Sequence, residues 1–411
     1  MNKLYEKTNA ASYYITQGSV NSPKGFRAGG FHCGIKRKRP DLAWLYSEVP
    51  ANAAAVYTTN QFQAAPITVT KESISIDKQL QGMIINSGNA NAYTGEKGLE
   101  QAYLMRKWYA EKVGTKEHLV GVSSTGVIGE PLPIEKIRNG IANISVEQED
   151  IINFEKAILT TDTFTKHVCV KVEINGTEIT IAGAAKGSGM IHPNMATMLS
   201  FITTDADIEQ ESLQYALSNI INDTFNMITV DGDTSTNDMV VAMANGMAEN
   251  EQLSVNNPYW DQFYEAFTYV CQSLAKYIAK DGEGATKLVE VKVTGAKTKE
   301  DAKTLSKTVI GSNLVKTAIF GADANWGRII NAIGYSGVKV DPMSISIALG
   351  SITVVHNGVP VDFSEEEATQ YMKESDPVQI FVALQDGNDE AIAWGCDLTY
   401  DYVKINASYR T

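Results

Sequence analysis

Ala196 places a small residue immediately before the hydroxyl residue Thr197, at the end of the run Lys186-Gly187-Ser188-Gly189-Met190-Ile191-His192-Pro193-Asn194-Met195-Ala196-Thr197. If the Ala196–Thr197 bond breaks, Thr197 gains a free α-amine beside its own hydroxyl, and such an amine can serve as the base that activates the nucleophile. One residue then supplies both groups. Gly187 and Gly189 open backbone angles closed to other residues, and Pro193 interrupts regular pairing, so the segment can present a strained peptide bond. Attack of the hydroxyl on the Ala196 carbonyl gives an ester that water cleaves. Taken alone, a Thr between Ala and Met-Leu reads first as a strand residue, so its neighbours carry the argument.

Other chemistry-bearing residues give less. Asp231-Gly232-Asp233-Thr234-Ser235-Thr236-Asn237-Asp238 is acidic enough for calcium, but its glycine is misplaced and no glutamate closes it. A tight turn packed near the site is the better reading. His32, His118, His167, His192 and His356 show no metal-ligand or triad spacing, and His192 is taken as structural. Cys33, Cys169, Cys271 and Cys396 lie far apart, which suggests reduced thiols and neither a disulfide framework nor a zinc site. No metal is expected. Asp323 to Arg328 reads either as site lining or, through Trp326, as core.

The elements that must position these residues are mixed. Short apolar runs bounded by Gly, Asn or Pro suggest strands at 54–57, 67–69, 83–85, 119–122 and 168–172, then at 198–203, 287–293, 343–349 and 378–384. Three- and four-residue apolar spacing predicts helices over 100–113, 134–144, 209–228 and 263–280. The fold class is α+β with layered sheets. No linker, low-complexity stretch or fixed-period repeat divides the chain, so the Ala196–Thr197 boundary falls inside one packed unit.

With 411 residues, 44% hydrophobic and 20% charged, the chain can bury a large core. Its net charge of −13 is spread rather than blocked, which argues against nucleic acid and anionic membranes as partners. The basic knot Lys36-Arg37-Lys38-Arg39, followed by Pro40, reads as a solvated loop. Residues 1–7 lack the apolar segment of a signal peptide and no apolar run approaches membrane-spanning length, so a cytoplasmic protein is expected.

Several further pieces stand in a fixed order: Gly25-Phe26-Arg27-Ala28-Gly29-Gly30, Phe62-Gln63-Ala64-Ala65-Pro66, Asn86-Ser87-Gly88-Asn89-Ala90-Asn91-Ala92 and Ser124-Thr125-Gly126-Val127-Ile128-Gly129. Thr160-Thr161-Asp162-Thr163, Asp281-Gly282-Glu283-Gly284-Ala285-Thr286-Lys287, Gly321-Ala322-Asp323-Ala324-Asn325-Trp326-Gly327-Arg328 and Asn406 follow. With these and the run ending at Thr197, the chain resembles, over nearly its whole length, the ornithine acetyltransferases. That family recycles the acetyl group from N-acetylornithine to glutamate in arginine biosynthesis.

The resemblance implies a helix-sheet-sheet-helix layering with an N-terminal-nucleophile-like self-cleaving site. It implies maturation into an alpha chain, 1–196, and a beta chain, 197–411, assembled as a heterotetramer of two alpha and two beta chains. Thr197 is then the nucleophile, and Thr125 and Gly126 supply oxyanion donors, although Ser-Thr-Gly after a strand would by itself make only a turn. Thr160, Lys186, Thr197, Glu283, Asn406 and Thr411 are implied to hold the substrate. Singly, Lys186 reads as a loop lysine, Glu283 as a helix-end charge and Thr411 as a frayed terminus. An amino acid with an α-carboxylate and a cationic amine calls for one buried cation and one anion, and Lys186 and Glu283 meet that need.

The preferred reading is a ping-pong acetyltransferase using N-acetylornithine and glutamate through an acetyl-Thr197 ester, with no cofactor. A bifunctional enzyme also drawing acetyl from acetyl-CoA is the alternative, and no Gly-rich pyrophosphate cradle speaks for it. A related N-terminal-nucleophile amidohydrolase or aminopeptidase, and a non-enzymatic binding protein, stand further off.

Overall fold

The computed structural model describes residues 12–192 and 198–408. The first part runs β1 (Tyr13–Thr16), β2 (Phe26–Phe31), β3 (Leu42–Tyr57), α1 (Ala65–Asp77), β4 (Gln79–Asn89), α2 (Gly95–Val113), β5 (Val120–Val127), α3 (Ile134–Ala142), α4 (Ile151–Ile158), β6 (Lys166–Ile174) and β7 (Thr177–Lys186). After residues 187–198 come β8 (Leu199–Thr204), α5 (Gln210–Asp223), β9 (Ile228–Thr229), β10 (Met239–Ala244), α6 (Trp260–Lys280), β11 (Leu288–Ala296) and α7 (Lys299–Gly311). The remainder is α8 (Asn313–Phe320), α9 (Trp326–Gly334), β12 (Ser346–Leu349), β13 (Ile352–His356), β14 (Val359–Pro360), α10 (Glu365–Glu374), β15 (Val378–Ala383), β16 (Asp389–Cys396) and α11 (Tyr400–Ser408).

Among the described residues the strands form two sheets, as the layered α+β expectation required. The larger runs β1-β6-β7-β8-β10-β3-β4-β5, with β2 also on β3, and the smaller runs β14-β13-β12-β15-β11-β16-β9. Every residue of β8 and β10 is buried, as central strands covered on both faces should be. Along β3 the period of two is plain: Ala43 and Leu45 enter one core, Leu42 and Trp44 another. Helix α6 places Phe263, Phe267, Val270, Leu274 and Ile278 at helical spacing in the largest core and touches strands of both sheets. Each such side chain contributes about 1.5–3 kcal/mol by leaving water.

One expected strand is a helix. Residues 67–69 lie inside α1, where Pro66 sits in the first turn with its φ already suited to a helix, and Lys78 closes the end in the left-handed region. Thr70 and Ser73 donate side-chain hydrogen bonds to the Val122 and Val120 carbonyls of β5, so tertiary anchoring overrides the β-branched run. The helix predicted over 209–228 ends at Asp223, and the strand predicted from 343 begins at Ser346 after a short 3-10 turn.

The site-bearing segments converge because β7 and β8 are neighbours. Lys186 pairs with Leu199, so the 187–198 connection leaves and re-enters the sheet at one edge of a buried hairpin. Ile191 bridges Thr234 and the Met198 carbonyl accepts from the Met239 N–H at 3.1 Å, which ties both ends to the segment before β10.

Candidate active site

The strand ends of β4 and β5 make the first wall. Their parallel register slips at Gly88 and Asn89, opposite Thr125 and Gly126. Gly126 has φ +133°, and a Cβ there would lie 2.4 Å from the Gly88 carbonyl carbon and 2.5 Å from the Asn89 nitrogen, so no other residue fits the turn. Asparagines satisfy the irregular backbone around it. Asn86 Oδ1 accepts from the Ser124 hydroxyl at 2.6 Å, and Asn237 Nδ2 donates to the carbonyls of Ala90 and Ser124 at 2.6 and 2.9 Å.

Opposite stand two buried charges. Lys186, the last residue of β7, is only 5% exposed and Glu283, past the end of α6, only 7%, yet both face one cavity. Glu283 is held twice: its N–H donates to the Ser188 carbonyl at 3.1 Å, and its Oε2 accepts from Asn406 Nδ2 at 2.7 Å. Asn406 belongs to α11, one turn beyond Tyr402, whose hydroxyl donates to Asp231 Oδ2 at 3.3 Å. Asp231 also accepts the N–H groups of Met190 and Ile191 at 2.7 and 2.8 Å, which fixes Met190 at φ +57°. Burial, with the Asp231 carboxylate beside it, pushes the Tyr402 hydroxyl well above the usual tyrosine range.

The cavity these groups enclose measures about 180 Å³. Thr125, Gly126, Thr160, Lys186, Glu283 and Asn406, all singled out from the sequence, line it together. Ala196, Thr197 and Thr411 lie outside the described residues. The acidic stretch from Asp231 packs at the site as a turn, as read, but it also contributes lining from Asp231, Asp233, Ser235 and Asn237 that the sequence reading did not assign. Tyr402 was missed as well; its helical spacing from Asn406 was the available signal. His192 points elsewhere, its Nδ1 meeting Thr229 Oγ1 at 3.0 Å, and burial followed by the Lys307 charge lowers its pKa. The Asp323–Arg328 corner is not at the cavity, and Trp326 packs against the large core.

Among the described residues no cluster of His, Cys, Asp and Glu is arranged to hold a metal ion, and no helix is long and apolar enough to cross a membrane.

Residues 27–411 match the ArgJ family. The chain belongs to that family. The arginine biosynthesis bifunctional protein ArgJ of Oceanobacillus iheyensis is 59% identical over 397 residues, covering 97% of both chains. Its counterpart in Halalkalibacterium halodurans is 58% identical over 413 residues, covering both completely. A crystal structure of the arginine biosynthesis bifunctional protein ArgJ from Bacillus halodurans is 62% identical with a TM-score of 0.51; the match covers 52% of this chain and all of that one.

Membership in the ArgJ family gives the cavity a chemical context. An ammonium, a carboxylate fixed by an amide, and a Thr-Gly corner with a forced glycine geometry surround a volume beside the connection that contains Thr197. Such a set can hold a zwitterionic molecule by its charges and offer donors to an oxygen that becomes anionic.

Proposed function

We propose that this ArgJ-family chain is a glutamate N-acetyltransferase that takes acetyl from N-acetylornithine and passes it to glutamate through an ester on Thr197. The carrying observation is the meeting of Thr125 and Gly126 with Lys186, Glu283, Thr160 and Asn406 around one cavity next to the 187–198 connection. The Thr197 hydroxyl adds to the acetyl carbonyl, its proton goes to the α-amine, and Thr125 and Gly126 stabilise the oxyanion. The C–N bond then breaks, the amine of ornithine takes the proton and leaves, and the acetyl stays on Thr197. The amine of glutamate attacks the ester, and the Thr197 oxygen is released with its proton restored. Charge pairing with Lys186 and Glu283 orients both amino acids, and the scheme needs no cofactor or metal.

The same reading has the chain cut itself between Ala196 and Thr197, giving residues 1–196 and 197–411, with two of each piece forming a heterotetramer in the cytoplasm. In support, 52% of the present chain accounts for the whole of the matched crystal-structure chain, about the share that residues 197–411 represent. The word bifunctional in the relatives' names favours a second reading in which acetyl-CoA also loads Thr197.

Denaturing electrophoresis with N-terminal sequencing should show two bands, one beginning at Thr197. Initial rates against N-acetylornithine at fixed glutamate levels should give parallel double-reciprocal lines. Active protein migrating as one intact chain, or intersecting lines, would refute the scheme. Labelling of Thr197 by acetyl-CoA alone separates the bifunctional form from recycling alone.

A further inference from the structure

Lys166 opens β6 with a wholly buried side chain, and it meets the buried carboxylates of Asp162 and Asp281. Its ammonium donates to Asp162 Oδ1 at 2.7 Å, to Asp281 Oδ2 at 2.5 Å and to the Phe164 carbonyl at 3.4 Å, which occupies all three N–H bonds. Both carboxylates reach onward. Asp162 accepts the Gly187 N–H at 2.7 Å on Oδ1 and the Thr160 N–H at 2.9 Å on Oδ2. Asp281 accepts the N–H and hydroxyl of Thr163, and its own carbonyl accepts from the Ser188 hydroxyl at 2.6 Å. Ser188 in turn takes the Glu283 N–H on its carbonyl.

Three chain segments are thereby tied to one cation: 160–163, 186–188 and 281–283. Each carries cavity lining: Thr160 and Thr161 in the first, Lys186 in the second and Glu283 in the third. We propose that Lys166 is a positioning residue for acetyl transfer, holding these segments together and satisfying both buried aspartates so that the Lys186 ammonium stays available to the substrate. This inference rests on the function proposed above for the same cavity.

No described residue accepts a hydrogen bond from the Lys186 ammonium, yet its charge acts on Asp162. Lys36, whose charge also acts on Asp162, has its ammonium fixed on the carbonyls of Pro40 and Leu159 at 3.0 and 2.5 Å. Without Lys166, the buried carboxylates of Asp162 and Asp281 lose the cation they share, and a buried carboxylate recruits whichever cation can move. Lys186, whose charge already acts on Asp162, is that cation, and an ammonium bonded to Asp162 is no longer free to bond a substrate.

The test uses full-length protein with Lys166→Met and with Lys166→Met combined with Asp162→Asn. The single variant should raise KM for N-acetylornithine about tenfold or more with a smaller change in kcat, the pattern of lost substrate binding. The double variant should recover most of that rise while its melting temperature stays below that of the parent, a split that a merely structural lysine does not produce. Lys166→Gln, which removes the charge but keeps two of the three N–H donors, replaces the single variant if Lys166→Met does not fold. An unchanged KM in a folded single variant, or a double variant no better than the single, overturns the inference. If the parent protein transfers no acetyl group, the functional reading fails instead; mass-spectrometric labelling of Lys186 by an amine-reactive reagent then tests the positioning separately. Labelling should slow in the single variant and recover in the double, and equal labelling in all three proteins overturns it.

Discussion

Replacing Gly189 with Ala should misplace the cavity-facing carboxylate of Glu283 while leaving the fold almost untouched. A Cβ at Gly189 would fall 2.3 Å from the Glu283 carboxyl carbon and 2.4 Å from each of its oxygens. Unbonded carbons settle at about 3.5 Å or more, so the carboxylate must retreat by about 1.2 Å. The Gly189 φ lies outside the left-handed region, so alanine brings no backbone strain of its own. Glu283 cannot withdraw as a whole, because its N–H is bonded to Ser188, and Asn406 is anchored to the Tyr402 carbonyl at 3.0 Å. Retreat directly away from Asn406 would stretch their 2.7 Å bond to about 3.9 Å, past the limit of a hydrogen bond. Loss of a bond to a charged group is worth about 1.5–3 kcal/mol. Since about 1.4 kcal/mol is a factor of ten in binding, KM for N-acetylornithine should rise about tenfold to a hundredfold. Steady-state kinetics paired with thermal melting tests this, with kcat changing less than KM and the melting curve staying cooperative. A folded Gly189→Ala protein with the parental KM would show that Glu283 does not hold the substrate.

The oxyanion corner and the buried ion cluster give two further expectations. Thr125→Ala should lower kcat by about a hundredfold or more with little change in KM, because its donor acts when charge develops; a change confined to KM would remove Thr125 from that role. Burial alone would raise the Asp162 carboxyl, but Lys166 and Lys186 more than reverse this and hold it well below the usual carboxylate range. A depressed folded pKa stabilises above the unfolded value of about 3.9 and is lost as pH falls through the folded one. Between these, folding free energy of the parent should fall with decreasing pH about 1.4 kcal/mol per unit more steeply than that of Asp162→Asn. Denaturant melts from about pH 5 down to about pH 2 check it, and parallel curves below about pH 3.9 would refute the assignment.

How legible the site was depended on how local each signal is. Thr125 and Gly126 announced locally only a turn at a strand end, which the φ of +133° at Gly126 is, and their place at the site came from motif order. Lys186 and Glu283 needed motif order, since neither differs locally from a surface charge, and only β7 and the end of α6 bring them to one cavity. Asp231 was readable as a turn but not as an acceptor, because its donors, Met190, Ile191 and Tyr402, lie about 40 and 171 residues away. Lys166 gave no signal at all. A lysine heading a strand reads as exposed, and its burial follows from Asp281, 115 residues later. Residues 67–69 failed in the opposite sense: the β-branched run is real, but Thr70 and Ser73 are committed to β5 and need the helix.

The same topology bears on why a cut at Ala196–Thr197 would leave the molecule whole. Strand β8 pairs with β7 from Leu199–Lys186 to Thr204–Ile181, and β10 pairs with β3 from Met239–Tyr57 to Ala244–Asn52, so strands from beyond the junction lie inside a sheet built from strands before it. Helix α6 packs on β6 and β7, with Val270 and Leu274 in the same core as Val168 and Val170. A break between residues 196 and 197 removes none of these contacts; separating the pieces would expose central strands buried on both faces. With apolar burial worth about 25 cal/mol per Å², the shared core outweighs the added freedom of two chain ends. Under the proposed reading the cut would act on chemistry alone, by creating an amine at Thr197, while the sheet on either side of the junction keeps Lys186 and Leu199 paired.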